Sequence, residues 1–354
     1  MTTARRRLGG WGFEDQTYPP SKQLLEWLAE RIGPAEFPAP SEAAPPPDLT
    51  AANLGDVAAD VSADLVDRLA HARGQGLVDV LRIRCGLVPA LPDGVCRPRD
   101  AEEVAATLER CAARGIHVIP WGGGTSVTGG VNVLAGDAPV LALDLERLAG
   151  MTALDRTSGL ATFGPGTRGP AVEAALAEHD LTLGHFPQSW ELATVGGWVA
   201  TRSSGQDSLG YGRIEDMVAG LELVAPDGRL SLPARPASAA GPDLGRLVMG
   251  SEGRLGVITE ATLRVRPRPE ETAVAGALLF VGRRPDESRF RLGVAVVVVA
   301  TVVEFASIAS WRHSNIDGYV FHMQVAGELA HRCGVVDGLR VYAEHGRRIY
   351  AVHG

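Results

Sequence analysis

From about residue 86 onward, short apolar runs alternate with amphipathic segments, and this pattern is typical of an α/β or α+β fold. The segment "DAEEVAATLERCAARG" places Val104 and Leu108 at helical spacing and begins at Asp100, a residue type that caps helices. A second helix, begun by Pro170, is predicted from "GPAVEAALAEHDL". Strands are predicted from "IHVIP", "VLALDLERL", "GLATFGPG", "VAGLELVAPDG" and "LGVITEATLRVRP".

The first 85 residues follow a different pattern. The segment "SKQLLEWLAERIG" has leucines at helical spacing, with Ser21 as a cap and Gly33 as a stop, and predicts a surface helix. A Pro/Ala-rich stretch over residues 34–50 indicates an extended linker, and "VSADLVDRLAHARGQG" predicts a short helix. We therefore interpret residues 1–85 as a helical extension and linker rather than as part of a core.

Three segments rich in Gly, Ser and Thr interrupt the apolar pattern: "PWGGGTSVTGG" (120–130), "TVGGWVATRSSGQDSLGYGRIEDMV" (194–218) and "GSEGRLGVIT" (250–259). The first is either a tight turn or a nest, in which successive backbone N–H groups converge on an anion. A nucleotide P-loop does not fit because no lysine follows the glycines, and a Rossmann fingerprint lacks its third glycine. Convergence of all three segments on one extended ligand would explain them together.

A fourth segment, "GPGTRG" at 164–169, matches the dinucleotide pattern G-x-G-x-x-G, follows a predicted strand and opens a predicted helix. A dinucleotide-binding unit continues into a second buried strand that ends in an acidic residue. Here the following "LTLGHFPQSWEL" is broken by Gly184 and Pro187. An NAD-dependent dehydrogenase is therefore the least favoured function, and we interpret "GPGTRG" as a strand-to-helix turn near a pyrophosphate but not around it.

Composition narrows the class of protein. The chain has 354 residues and a formal net charge of −8, which argues against a nucleic-acid partner because phosphate backbones are bound by clustered positive charge. Four scattered cysteines match no metal-site spacing, so we expect free thiols and no metal. The basic N-terminus lacks the apolar stretch of a signal peptide, and the run at 293–303 is too short to span a bilayer. These features predict a cytoplasmic enzyme without a transmembrane segment.

The long motifs resemble, in order and spacing, those of the vanillyl-alcohol oxidase type of FAD-binding proteins, and within it the alkyldihydroxyacetonephosphate synthase-like branch. The resemblance rests on "IPWGGGTSVTGG", "GHFPQSWELATVGGWVATRSSGQDSLGYGRIEDMV" and "GSEGRLGVITEATLRVRPRPE", with the opening "GGWGFED" similar as well, and covers about residues 8–272. It implies an α+β, PCMH-type FAD-binding domain over 86–270, built of two α+β subdomains with the cofactor extended between them.

The resemblance also implies which residues contact FAD. The backbone of residues 122–126 would hold the pyrophosphate, and residues 252–258 would lie near the adenine and ribose. In some relatives a histidine in the glycine loop attaches the flavin covalently; Thr125 stands in that place here, so we expect non-covalent FAD. The full set of predicted cofactor contacts is Pro120, Trp121, Gly122, Gly123, Gly124, Thr125, Ser126, Gln188, Ser189, Thr194, Gly197, Thr201, Ser203, Ser204, Gly205, Glu252, Gly256, Val257 and Ile258.

The function implied by the resemblance is the flavin-dependent exchange of an acyl for an alkyl group on dihydroxyacetone phosphate, with a small-molecule or lipid-precursor substrate. Two alternatives stay open: an FAD-dependent 2-hydroxy-acid dehydrogenase or oxidase, and an FAD-binding remnant with little activity. The family places its catalytic groups in a cap domain that is not recognisable in this sequence, so no catalytic residue is assigned. The oligomeric state is open, a homodimer included.

Residues 271–354 match no motif of the family. Either they form a divergent short cap, or the reading frame is lost near residue 282, and the abrupt change in composition favours the second interpretation. We therefore describe this segment as a truncated or divergent cap region, which makes the cap incomplete or aberrant.

A few side chains have both a structural and a chemical interpretation. His117 alternates with apolar neighbours and predicts a packed strand histidine, whereas His185 precedes a cofactor segment and is as often a site residue as a core residue. Trp190 and Trp198 predict core or cofactor-wall packing, because an indole offers only a donor. Tyr211 lies in a long loop, where it either packs or faces the flavin.

Overall fold

The computed structural model describes residues 6–15, 21–33, 51–236 and 241–270, and the interpretations of the tail after residue 270 lie outside them. The helices of the described part are α1 (Lys22–Ile32), α2 (Leu65–Ala70), α3 (Leu77–Arg84), α4 (Ala101–Ala113), α5 (Gly169–Ala177), α6 (Val195–Thr201), α7 (Ser208–Tyr211), α8 (Ile214–Met217) and α9 (Leu244–Val248). The strands are β1 (Val61–Ser62), β2 (Gly94–Cys96), β3 (His117–Trp121), β4 (Val140–Asp144), β5 (Met151–Asp155), β6 (Leu160–Phe163), β7 (Leu181–Thr182), β8 (Val218–Ala225), β9 (Gly228–Leu232), β10 (Val257–Arg264) and β11 (Arg266–Pro267).

The first sheet has the strand order β1-β2-β4-β3, with β2 and β3 parallel to β4 and β1 antiparallel to β2. Every residue of β4 is buried, as expected for a central strand covered on both faces. Helix α4 buries Val104 and Leu108 in the core of this sheet, and the Asp100 side chain caps it by accepting a hydrogen bond from the Glu103 N–H at 2.8 Å. The predicted helix and its cap are confirmed.

The second sheet is antiparallel, with the order β5-β6-β10-β8-β9, and a short third sheet pairs β11 with β7. Its core contains Phe163, Trp198, Met217 and Leu263, each at most 1% exposed. Burying a side chain of this size contributes about 2 kcal/mol. The two largest hydrophobic clusters are centred on the first and the second sheet, and the mixture of these sheets with helices confirms the α+β class.

Residues before position 85 contribute to the first core. Leu54 and Val57 are 5% and 0% exposed, and β1 pairs with β2. The interpretation of residues 1–85 as lying wholly outside a core is therefore wrong for these two side chains. The Pro/Ala-rich stretch that precedes them gives no sequence signal for the first strand of the sheet. The domain boundary at residue 85 itself stays a prediction.

The Gly/Ser-rich segment 194–218, in which no periodicity is visible, contains α6, α7 and α8. These helices have seven, four and four residues. Two turns or fewer are too short to show the 3.6-residue repeat, which explains why the sequence pattern does not reveal them. Among the described residues, no helix is long and apolar enough to cross a bilayer.

Candidate cofactor site

A cleft of about 330 Å³ is lined by the segments that follow β3, β4 and β6, by α6, and by the residues that lead into β10. The topology therefore brings the three Gly/Ser/Thr-rich segments to one place, although they are far apart in the chain. Fifteen of the nineteen predicted contacts line this cleft: Pro120, Trp121, Gly122, Gly123, Gly124, Thr125, Ser126, Ser189, Thr194, Gly197, Thr201, Ser203, Glu252, Gly256 and Ile258.

Four of the predicted contacts do not line the cleft. Gln188 and Ser204 are exposed, and Gly205 lies against the backbone of Phe186. Val257 is buried in the first core, because it precedes Ile258 in β10 and successive strand residues face opposite sides. These four lie outside the cleft lining, and the contact of all nineteen residues with FAD stays a prediction.

The glycines of the loop at 122–124 are required by the protein itself. A Cβ at Gly123 would overlap the Leu192 carbonyl oxygen, and a Cβ at Gly122 would overlap the Thr194 hydroxyl oxygen. Gly124 has φ +58°, a conformation that favours glycine, and its Cβ would overlap the Trp121 ring. Side chains are therefore absent here because two backbone segments of the chain pack against one another, in addition to any ligand that approaches.

The backbone N–H groups of this loop are unusual because they are not used as hydrogen-bond donors within the described part of the protein. None of the backbone N–H groups of residues 122–126 donates a hydrogen bond to another residue in the described part of the chain, although Gly123 and Gly124 are buried. Buried N–H groups without an acceptor are rare and destabilising, so such a row indicates a missing acceptor. A row of converging amides fits an anion such as a pyrophosphate, which is the nest predicted from the glycine pattern.

The charged residues of the cleft lining also favour anion binding by backbone amides. Among the described residues that line the cleft there is no Lys, Arg or His, and the charged side chain is that of Glu252. Glu252 has φ +50°, and its carboxylate accepts a hydrogen bond from the Thr128 hydroxyl at 3.3 Å. An anion in this cleft would thus be bound by backbone amides and hydroxyls rather than by a basic side chain, while Glu252 offers an acceptor to neutral hydroxyls.

The hydroxyl groups on and near α6 differ in what they can donate. The Thr201 hydroxyl donates to the Gly197 carbonyl oxygen at 2.8 Å, so its proton is already used within the helix. Thr194 caps α6 by accepting from the Gly197 N–H at 3.4 Å. Ser203 lines the cleft and lies 2.7 Å from the His185 Nε2.

His185 lies one residue behind the cleft wall rather than on it. Its side chain is buried, and burial lowers its pKa from 6.5 to about 4, so the ring is neutral at pH 7. Its Nδ1 has no hydrogen-bond partner among the described residues. An unpaired buried N–H is costlier than an unpaired lone pair, so we place the proton on Nε2, which donates to the Ser203 hydroxyl oxygen. The Ser203 proton is then free to point into the cleft.

The structure also shows where the other histidine and the aromatic side chains with two interpretations lie relative to the cleft. His117 is exposed, so its interpretation as a packed strand histidine is wrong; it occupies the first position of β3, where the strand emerges. Trp198 is 1% exposed and lines the cleft, which confirms a packing role in the wall. Trp190 packs against Phe186 with ring centroids 5.6 Å apart. Tyr211 lies outside the cleft lining and packs under the guanidinium of Arg266 at 4.4 Å.

Sequence reasoning missed a polar cluster beneath the cleft. The His71 ring lies 5.0 Å from the Trp121 ring, and its Nε2 is 3.1 Å from the Asp144 carboxylate. Arg97 forms an ion pair with Asp67 at 2.6 Å, which lowers the pKa of that carboxyl, and a second with Asp144 at 3.3 Å. These contacts hold Trp121 from below. No local signal marks them, because their partners are brought together only by the fold.

A short segment at 71–76 supports the glycine loop. All six of its residues are buried, and the Gln75 N–H donates to the Ser126 carbonyl oxygen at 2.7 Å. A Cβ at Gly74 would overlap the same oxygen. In the described part of the chain, no group of three or more His, Cys, Asp or Glu side chains is arranged to hold a metal ion.

Comparison with known protein families matches residues 92–231 to an FAD binding domain. This match covers 140 of the 354 residues. The fold of this part is the PCMH-type α+β domain, and its cofactor is FAD. The unused amides of the glycine loop and the small residues of the cleft wall are compatible with that cofactor.

Two relatives and one solved structure define the similarity. The chain is 35% identical over 215 residues to alkyldihydroxyacetonephosphate synthase of Dictyostelium discoideum, covering 61% of this chain and 35% of that protein. It is 37% identical over 187 residues to the mitochondrial D-lactate dehydrogenase (cytochrome) of Arabidopsis thaliana, covering 52% and 32%. A solved structure of an alkyldihydroxyacetonephosphate synthase matches with TM-score 0.57 and 34% identity, covering 60% of this chain and 38% of that one. The chain thus spans about a third of the length of its relatives.

Proposed function

We propose that this chain holds FAD non-covalently in the described cleft and serves the exchange of an acyl for an alkyl group on a dihydroxyacetone phosphate substrate. The observation that carries the proposal is the glycine loop, whose five amides at 122–126 have no acceptor among the described residues. The similarity to a protein named alkyldihydroxyacetonephosphate synthase supports this reaction, because it extends over 61% of this chain, against 52% for the D-lactate dehydrogenase.

The residues that would hold the cofactor offer three kinds of group: backbone amides, a hydroxyl and a carboxylate. The amides of residues 122–126 would bind the pyrophosphate, because they are the donors that the protein leaves unused. The Ser203 hydroxyl, oriented by His185, would add one directed donor. The Glu252 carboxylate would accept hydrogen bonds from ribose hydroxyls. All nineteen residues predicted from the sequence remain candidates, and the fifteen that line the cleft are favoured.

The protein's own part in the reaction is positioning and exclusion of water. Bound FAD supplies a ring that takes up and returns electrons at a fixed place. Trp198 and Ile258 are buried apolar side chains in the cleft wall and would keep water from that ring. The described residues offer no acid, base or nucleophile that we would assign to the substrate, so the proposal names no catalytic residue.

A non-covalent link is supported by the lining. In the described stretches of chain, neither a histidine nor a cysteine lines the cleft, and the loop position next to the glycines is Thr125. A threonine hydroxyl has no nitrogen or thiolate with which to attack the flavin. Precipitation of the yellow protein with acid should therefore leave all of the flavin in the supernatant; flavin retained in the washed pellet would contradict this part of the proposal.

The proposed reaction is tested on purified full-length chain loaded with FAD. We expect release of fatty acid and formation of an ether-linked product from an acyl-dihydroxyacetone phosphate and a long-chain alcohol. The second candidate, a 2-hydroxy-acid dehydrogenase, is supported by the similarity to D-lactate dehydrogenase at 37% identity. Bleaching of the flavin absorbance by D-lactate or glycolate, without ether formation, would favour it. A stable flavin spectrum with neither reaction would indicate an FAD-binding protein with little activity.

A further inference from the structure

Residues 6–14 form a short strap at the edge of the glycine loop. Arg6 and Phe13 form an antiparallel bridge, and the Arg7 N–H donates to the Gly12 carbonyl oxygen at 3.0 Å. The Arg84 Nε of α3 donates to the Gly9 carbonyl oxygen at 2.7 Å and fastens the strap to that helix. The strap therefore has a defined position next to the cleft, although it precedes the cleft-forming segments by more than a hundred residues.

Arg6 reaches from this strap to the back of the glycine loop. Its guanidinium donates to the Gly123 carbonyl oxygen through Nη1 and to the Gly124 carbonyl oxygen through Nη2, the latter at 3.1 Å. The C=O and N–H groups of one trans peptide point in opposite directions. Carbonyl groups held towards Arg6 thus turn the N–H groups of Gly124 and Thr125 away from it. Arg6 itself is not part of the cleft lining.

Among the described residues, no acidic side chain serves as counter-ion to Arg6. Across the ranges that the structure describes, no carboxylate forms an ion pair with Arg6, and its buried Nε has no hydrogen-bond partner. Burial, with a further contribution from the nearby positive charge of Arg168, lowers the pKa of Arg6 to about 10. A half-buried cation that has hydrogen-bond acceptors but no counter-ion is unfavourable, and a negative charge nearby relieves it.

We infer that Arg6 is a positioning residue for the cofactor: it holds the peptide groups of 123–125 with their amides towards the cleft, and its charge attracts the pyrophosphate through the loop. This inference rests on the proposed placement of the pyrophosphate on residues 122–126. It makes Arg6, and not the rest of the strap, part of the FAD site. If the strap had only a structural role, it would stabilise the fold but would not contribute to the affinity for a diphosphate ligand.

The test uses the full chain as apoprotein, titrated with FAD and, separately, with ADP, which carries the same diphosphate without the flavin. For Arg6→Gln we expect both affinities to fall by the same factor, about tenfold or more, which corresponds to about 1.4 kcal/mol. Arg6→Lys keeps the charge but loses the two-donor fork, so its affinities should lie between those of the native protein and Arg6→Gln. Arg7→Gln, in the same strap, is the matched control and should stay within about twofold of the native protein.

The outcomes separate the possibilities. Unchanged FAD and ADP affinities in Arg6→Gln would overturn the inference. So would a lower melting temperature of the apoprotein in both Arg6→Gln and Arg7→Gln with equal loss of FAD affinity, because that pattern indicates a strap that only supports the fold. If the native chain bound neither FAD nor ADP, the proposed cofactor site would fail instead. If Arg6→Gln does not fold, the comparison of Arg6→Lys with Arg7→Gln decides, and equal affinities in those two would end the inference.

Discussion

Two glycine-rich turns of this chain each follow a strand and reach the same cleft. They differ in whether their backbone N–H groups donate hydrogen bonds within the protein. In "GPGTRG", the N–H groups of Gly164, Gly166 and Thr167 donate to carbonyl oxygens of the protein at 3.0, 2.8 and 3.1 Å, and Pro165 has no N–H. In the loop at 122–126, no N–H group finds an acceptor among the described residues. The segment that matches a dinucleotide pattern thus uses every N–H group of its first four residues inside the protein, whereas the loop that matches none uses none of its five among the described residues.

The comparison shows which property distinguishes a glycine-rich ligand site from a glycine-rich structural turn. Glycines in both turns make room for backbone: a Cβ at Gly166 would overlap the Leu145 carbonyl oxygen, as one at Gly123 would overlap that of Leu192. Close packing therefore does not distinguish a ligand site from a structural turn. The distinction lies in whether the amides are already satisfied, since an unsatisfied buried donor requires a partner.

The largest expected effect is that of Gly123→Ala. The new Cβ would meet the Leu192 carbonyl and the Ala193 backbone, which have no room to move without shifting α6. We expect FAD affinity to fall about 100-fold or more and the free energy of unfolding to fall by about 3 kcal/mol. Titration of apoprotein with FAD and chemical denaturation measure the two. The matched control is Gly136→Ala, whose Cβ meets no atom within 4 Å and which should behave as the native protein.

The second test makes the same change in the other turn. Gly166→Ala should lower the free energy of unfolding by about 2 kcal/mol, because its Cβ would overlap the Leu145 carbonyl. Its FAD affinity should stay within about threefold of the native value, since the amides of Gly164, Gly166 and Thr167 donate to carbonyl oxygens inside the protein. Gly210→Ala in α7, where a Cβ meets open space, serves as control. Equal losses of affinity in Gly123→Ala and Gly166→Ala would remove the difference between the two turns.

The third test concerns the buried histidine behind the cleft. The pKa of His185 is about 4 in the folded protein and 6.5 in the unfolded chain, so the unfolded state takes up a proton first as the pH falls. Stability is therefore lost between about pH 6.5 and 4, and the loss from pH 7 to 5 amounts to about 2 kcal/mol. Thermal unfolding at the two pH values should show a smaller difference in His185→Gln, which does not titrate. An equal difference in both proteins would show that other groups cause it.

The smallest expected effect applies the comparison to hydroxyl groups. Ser203→Ala removes a donor that is free to point into the cleft and should weaken FAD binding by about fivefold. Thr201→Ala removes a hydroxyl whose proton is bound to the Gly197 carbonyl, and should weaken FAD binding by less than twofold. Both are read by quenching of flavin fluorescence. A larger loss in Thr201→Ala than in Ser203→Ala would reverse the assignment of free and used donors.

The local pattern was sufficient for the elements whose apolar residues recur at clear helical or strand spacing. The helices α1, α4 and α5 and the strands β3, β4, β6, β8 and β10 all fall within segments whose apolar spacing predicts them. Strand β5 was not predicted because it lies at the edge of its sheet, with mostly exposed side chains and no apolar alternation. Helix α3 was missed for a related reason: Leu77, Val78 and Leu81 are exposed, so its apolar residues do not mark a buried face.

The sequence by itself determined the class of fold, the order of the three small-residue segments, and the absence of a P-loop lysine that leaves phosphate binding to backbone amides. These properties follow from residue type and spacing, which are local. Only the tertiary structure decided which amides remain unused, and it placed Arg6 behind a glycine 117 positions away. The physical reason is that a hydrogen bond is satisfied by whichever partner the fold brings near, and neither the partner's distance nor its direction is encoded at the site itself.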